Sequence, residues 1–205
     1  MRILGRVTSS NVRKVLWTAD LIGIGYEHED WGLPLRDPRV PEFLALNPNG
    51  TVPVIVDAGF VLWESSAIMR YLGQKGGSDL WPADVRERAL VDQWLTWQAT
   101  ELLPSWLYAV TAFLAKNPDF NDPERIAQSV DKWSANMRML EAQLAEGGGY
   151  VANGRLSLAD LALALSSHRW FSTPFDRPEL PAVTEHYQRL KATEAGRKYL
   201  NADTP

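Results

Sequence analysis

The sequence predicts a small α/β domain followed by an all-helical one. Two observations carry this. Short strand-like and helix-like runs alternate over the first eighty or so residues, and from Val85 onward the apolar spacing is helical throughout. The polar, glycine-rich stretch GQKGGSDLWPAD lies where the pattern changes. The expected organisation is an α/β domain over residues 1–75, a linker over 76–85 and a helical domain over 86–205.

Taken in order, RILG is a short strand followed by the polar turn RVTSS. Val12, Val15, Leu16 and Ala19 then recur at helical spacing, and Gly23 and Gly25 close that helix. GYEHEDW alternates weakly, as a second strand would. PEFLALNPNG reads as a short helix broken by an Asn-Pro-Asn-Gly turn, and TVPVIVDAGFVLW as two strands joined at Asp57, Ala58 and Gly59. Pro53 interrupts the run GTVPVI, and a proline without an N–H belongs at a strand start, an edge or a bulge. ESSAIMRYL begins a third helix, with Ser65 as its expected N-cap. The order is βαβαββα. In the second half, Pro104 should bend or divide a helix. Ile126, Val130, Trp133, Met137, Leu140 and Leu144 form an amphipathic stripe ended by EGGGY. Ser157 and Asp160 make a capping box, with Leu156 and Leu161 placed as its hydrophobic staple.

Composition narrows the function. The 205 residues are 45% hydrophobic and 22% charged with a formal charge of −4, an ordinary globular balance. No Lys/Arg cluster offers nucleic acid or an anionic membrane a grip. Cysteine is absent, which excludes disulfide frameworks, thiolate metal sites and redox chemistry by a thiol of the protein's own. His28, His168 and His186 have no metal-ligand spacing, so no metal site is expected. No targeting segment is visible and LADLALAL is too short to span a bilayer, so a cytoplasmic protein is the simplest expectation.

Four motifs in order, TSSNVRKVLW, LNPNGTVPVI, WESSAIMRYL and LSLADLALA, make the chain resemble the glutathione S-transferase superfamily, and nearest its bacterial theta- or nu-like members. The resemblance covers nearly the whole chain. It implies a thioredoxin-like N-terminal domain, an all-α C-terminal domain, a homodimer in which Arg70 lies at the interface, and glutathione as co-substrate in detoxification chemistry.

The same resemblance distributes roles along the chain. Val52, ahead of a Pro53 that is cis in the family, offers its N–H and C=O to the cysteinyl part of glutathione, main chain reading main chain. Glu64 and Ser65 hold the γ-glutamyl end, the serine and its neighbouring amides taking the carboxylate and the acid ordering the ammonium. Trp31, Arg36 and Asn49 approach the glycyl end, where Arg39 competes with Arg36. The thiol must become a thiolate. Lowering an ordinary thiol pKa of ~8.5 by ~2 units needs ~2.7 kcal/mol of preferential stabilisation of the anion. The family supplies this from Tyr, Ser or Cys near the first helix. Here Thr8, Ser9, Ser10 and Asn11 remain; Ser9, four residues before Arg13, leads, Ser10 follows, and Asn11 donates through its amide if both hydroxyls cap the helix. Trp94, Trp97, Trp106 and Tyr108 fall on or near the first long helices of the second half, which flank the site in relatives; an aromatic stripe there is more often packing, and Trp106 and Tyr108 are the better candidates for an apolar electrophile pocket.

The rivals are a zeta-type isomerase, whose Ser-Ser-Cys opening lacks its third member here, and a non-catalytic glutathione-binding or regulatory protein. Glutaredoxin-type reduction lacks a cysteine, and no G-x-S-x-G elbow supports a serine hydrolase.

Overall fold

The computed structural model describes residues 1–201; the last four positions of the expected helical domain, 202–205, lie outside the described residues. Contacts divide the chain into a first unit, Met1–Pro82, and a second comprising residues 83–201 of those described.

The first unit is a four-stranded mixed sheet with helices, the thioredoxin-like arrangement. Strands β1 (Arg2–Leu4), β2 (Glu27–Glu29), β3 (Val54–Asp57) and β4 (Phe60–Trp63) lie in the order β2-β1-β3-β4. β1 runs parallel to β2, with Ile3 opposite His28, and antiparallel to β3, with Ile3 opposite Ile55. The two inner strands carry the apolar residues: Ile3, Leu4, Val54 and Ile55 are fully buried. Burying each such side chain is worth about 1.5–3 kcal/mol relative to exposure. β3 and β4 form the expected hairpin; Ala58 and Gly59 both take positive φ (49° and 88°), which matches the strand twist in a two-residue turn.

Helix α1 (Ser10–Leu21) buries Val12, Val15, Leu16 and Ala19. It stops as predicted: Gly23 turns left-handed (φ 70°), its N–H donates to the Asp20 carbonyl, and the Ile24 N–H donates to that of Ala19. α2 (Pro41–Leu44) is a single turn. α3 (Ser65–Lys75) packs on α1. Its start differs from expectation: Glu64 is the N-cap, at φ 72°, and Ser65 is the first helical residue. The helix follows Trp63, the last residue of β4, after one residue, and the chain reverses at Glu64 through a conformation that propensity does not announce.

The second unit is helical: α4 (Val85–Trp97), α5 (Leu103–Phe113), α6 (Pro123–Glu146), α7 (Leu158–Ser172), α8 (Pro181–Lys191) and α9 (Glu194–Tyr199). The division expected at Pro104 is a π-helical turn, Gln98–Leu102, closed by the Leu103 N–H on the Gln98 carbonyl. Proline cannot serve the carbonyl four residues back, and the turn opens the ladder just ahead of it. Neighbours satisfy two carbonyls there: Asn136 donates to Glu101 (3.1 Å) and the Ser105 hydroxyl to Leu102 (2.6 Å). α7 is buried on nearly all sides, the pattern of a central helix, whereas α6 buries the Trp133, Met137, Leu140 and Leu144 stripe. Trp133, Trp170 and Phe175 stack edge-on and tilted, with centroids 4.9–5.4 Å apart. The capping box forms, and its acid does more than cap. Asp160 accepts from the Ser157 N–H (2.8 Å) and hydroxyl (2.7 Å) and from the Val151 N–H (3.0 Å), and pairs with the buried His186 Nε2 at 3.1 Å. No helix among the described residues is long and apolar enough to cross a membrane.

Candidate active site

Two helix starts converge in the first unit. Ser9 is the N-cap of α1, yet its side chain makes no capping bond. Among the described residues neither the Ser9 nor the Ser10 hydroxyl is held by a hydrogen bond, so both remain available to a ligand. Asn11 accepts from the Ser65 hydroxyl at 3.4 Å through Oδ1, which leaves its amide N–H groups to donate. That contact sets the N-terminus of α1 beside that of α3. Each offers backbone N–H groups without intrahelical partners and the positive end of a helix dipole, a field that favours anions. Glu64, exposed, adds one carboxylate at the α3 end.

A buried cation lies behind these groups. Lys14 on α1 is 2% exposed; burial pushes its ammonium down to about 7, against the opposing pull of the Glu64 carboxylate.

The Val52-Pro53 peptide is cis, as is Leu33-Pro34. The turn ahead of Val52 is built by Asn47, which is 1% exposed. Its Nδ2 donates to the Thr51 carbonyl (2.8 Å), and its Oδ1 accepts from the backbone N–H and the side-chain amide of Asn49 (both 3.0 Å). Gly50 takes the left-handed conformation (φ 61°) the turn requires. Beside Val52 lies a cavity of about 390 Å³ whose polar wall includes Arg6 and Arg39. The same wall holds Asp37, whose carboxylate accepts from the Arg39 backbone N–H at 2.9 Å, and Arg6 donates through Nη1 to the Thr8 hydroxyl at 2.5 Å.

Three glycyl-end candidates are engaged elsewhere. Trp31 is a core residue, 3% exposed, packed on Phe43 at 4.8 Å and donating its indole N–H to Glu29 (3.2 Å). Arg36 lies over the Trp31 ring, 3.5 Å from its centroid, and pairs with Glu42 at 3.2 Å. Asn49 is tied to Asn47. In the second unit, Trp106 is nearly buried against Trp133, and Tyr108 is half-buried between Phe120 and the Arg125 guanidinium. Among the described residues no group of three or more metal-ligating side chains could hold a metal ion.

The family model for the N-terminal domain of glutathione S-transferases matches residues 8–75. Glutathione S-transferase GstB of Escherichia coli K12 is 30% identical over 197 residues, 95% of this chain and 94% of the relative. The chain belongs to the glutathione S-transferase family. Its fold matches the theta-class glutathione S-transferase of Xanthomonas axonopodis pv. citri with glutathione bound, at TM-score 0.91 and 34% identity, over 98% of this chain and 96% of that one. A glutathione S-transferase of Pseudomonas fluorescens matches at TM-score 0.85 and 27% identity, over 95% and 96%.

In this glutathione S-transferase, motifs mark the two helix starts and Val52, and the structure adds three residues near them that no motif marked: Arg6, Lys14 and Asn47. Arg6 carries a legible signal, a cation at the C-terminal end of a parallel strand, where open α/β sheets place ligands. Lys14 carries none, because a Lys in an amphipathic pattern reads as surface.

Proposed function

We propose that this protein is a glutathione transferase that binds glutathione in the first unit and ionises its thiol for attack on a small apolar electrophile. The observation that supports this best is the pair of adjoining helix N-termini with two serine hydroxyls left free of capping duty. In the proposed complex Val52 pairs with the cysteinyl main chain. The free N–H groups at the start of α3, with the Ser65 hydroxyl turned from Asn11 toward the ligand, take the γ-glutamyl carboxylate, and Glu64 draws the ammonium. Arg39 and Arg6 replace Arg36 at the glycyl carboxylate. Ser9 donates to the sulfur, with Ser10 and the Asn11 amide as its neighbours. The hydroxyl bond and the α1 dipole together supply the ~2.7 kcal/mol that an ionised thiol needs near neutral pH. The serine stays a hydrogen-bond donor and is not acylated. Tyr108 is the aromatic side chain proposed for the electrophile, and the working state is a cytoplasmic homodimer.

The pH–rate profile of conjugation to a chlorodinitrobenzene tests the reading. Ser9→Ala should move the pKa seen in kcat/KM upward and lower the rate near pH 6.5 by about 10–100-fold, as loss of one charge-assisted hydrogen bond predicts. An unchanged profile reassigns the sulfur contact to Ser10 or Asn11. Glutathione binding without turnover of conjugation, dehalogenation or peroxide substrates would instead favour a non-catalytic binding protein.

A further inference from the structure

The second unit holds a cavity of about 540 Å³ where the connection from α7 meets the first turns of α8, within the range of small-molecule sites. Its walls are apolar, from Phe171, Pro178 and Leu180. The charges around it are not equivalent. Arg177 donates to the carbonyls of Phe171 (3.0 Å) and Thr173 (2.5 Å) and lies against the Phe175 ring at 5.1 Å. Those carbonyls close the C-terminus of α7, so its charge is answered by the negative end of a helix. The positive end of α8 is answered too: Glu141 on α6 accepts from the Ala182 and Val183 N–H groups at 3.0 and 2.8 Å. Neither feature is left to hold an anion. What remains at the cavity is negative. Glu179 is exposed and, among the described residues, makes no ion pair, and Glu185 pairs with Arg189 at 2.9 Å while staying largely in solvent.

We infer that this cavity binds an apolar molecule bearing one ammonium group, its body against Phe171, Pro178 and Leu180 and its charge at Glu179 and Glu185. The preference for a cation follows from the compensation of both helix ends and from the Glu179 carboxylate, which no cation of the described residues answers, with the exposed Glu185 sharing its charge with Arg189. The site lies wholly in the helical unit and does not depend on the glutathione reading.

Calorimetry with phenylbutylamine and phenylbutyrate, one body with opposite charges, tests it on the full chain. The amine should bind in the sub-millimolar range, and the carboxylate about tenfold more weakly. Glu179→Gln and Glu185→Gln should each weaken the amine about threefold, and together about tenfold, the range of exposed ion pairs. Saturating S-methylglutathione should leave the amine titration unchanged. No heat with the amine at millimolar concentration, equal binding of the carboxylate, insensitivity of the double variant, or displacement by S-methylglutathione would each overturn the inference.

Discussion

Lys14 places an ammonium in the interior of the first unit, and its titration is a stability statement. Its pKa falls from 10.5 to about 7 on folding, chiefly through desolvation. Below about pH 7 both folded and unfolded chains carry the proton, and the native state bears the whole penalty. Between about 7 and 10.5 the unfolded chain holds more protons, so stability rises with pH. Lys14→Met should therefore stabilise the protein at pH 6, by up to about 5 kcal/mol on the linkage limit, and lose most of that advantage by pH 10. Urea titrations at the two pH values measure the difference; an equal gain at both would place the effect in packing rather than charge. Single residues were unevenly legible. Val52, Ser9 and Asn11 could be proposed from the sequence because motifs carry them. Arg36 and Arg39 are three positions apart in one loop, and only the fold separates them: one lies on Trp31 and the other lines the cavity beside Val52. Periodicity does not register such a choice.

Among the elements, the α7 start was legible to the atom, because a capping box is a local pattern whose partners lie three residues apart. The sequence did not display the rest of Asp160's work, since Val151 and His186 come from other segments. Removing this carboxylate strips partners from two buried backbone N–H groups and a histidine at once. Asp160→Ala should cost about 3–5 kcal/mol, whereas Thr193→Ala, which removes the hydroxyl that caps α9 at the Gly196 N–H (2.9 Å), should cost about 1 kcal/mol. Thermal unfolding of the pair separates a hub from a cap, and comparable losses would refute the distinction. At the start of α3 the local pattern misled by one residue. Serine is the better N-cap by propensity, but the tight exit from β4 sets the cap at Glu64, and tertiary context overrides propensity there.

For the whole molecule, the homodimer is the state to test. β4 is an outer strand of the sheet, and its Phe60 and Trp63 are 50% and 37% exposed, a large apolar presence at an open edge. Sedimentation should give twice the chain mass of 23.0 kDa, and Phe60→Asp should shift the distribution toward the single chain. A Phe60→Asp variant that sediments as the parent does would remove this strand from the contact. The order of elements was readable because each unit announces itself by a different apolar period, whereas the homodimer is expected from the family resemblance alone, because a surface phenylalanine looks the same whether or not it is covered. β4 has one more implication. Its sequence, FVLW, contains no proline, lysine or glutamate, and among the described residues its outer row of backbone groups has no fifth strand to bond with. Such a margin is a template for cross-chain pairing. Preparations that uncover it without adding charge, by truncation or by alanine substitution, should therefore grow turbid and fibrillar on storage, while Phe60→Lys, at an exposed position of the strand, should keep them clear.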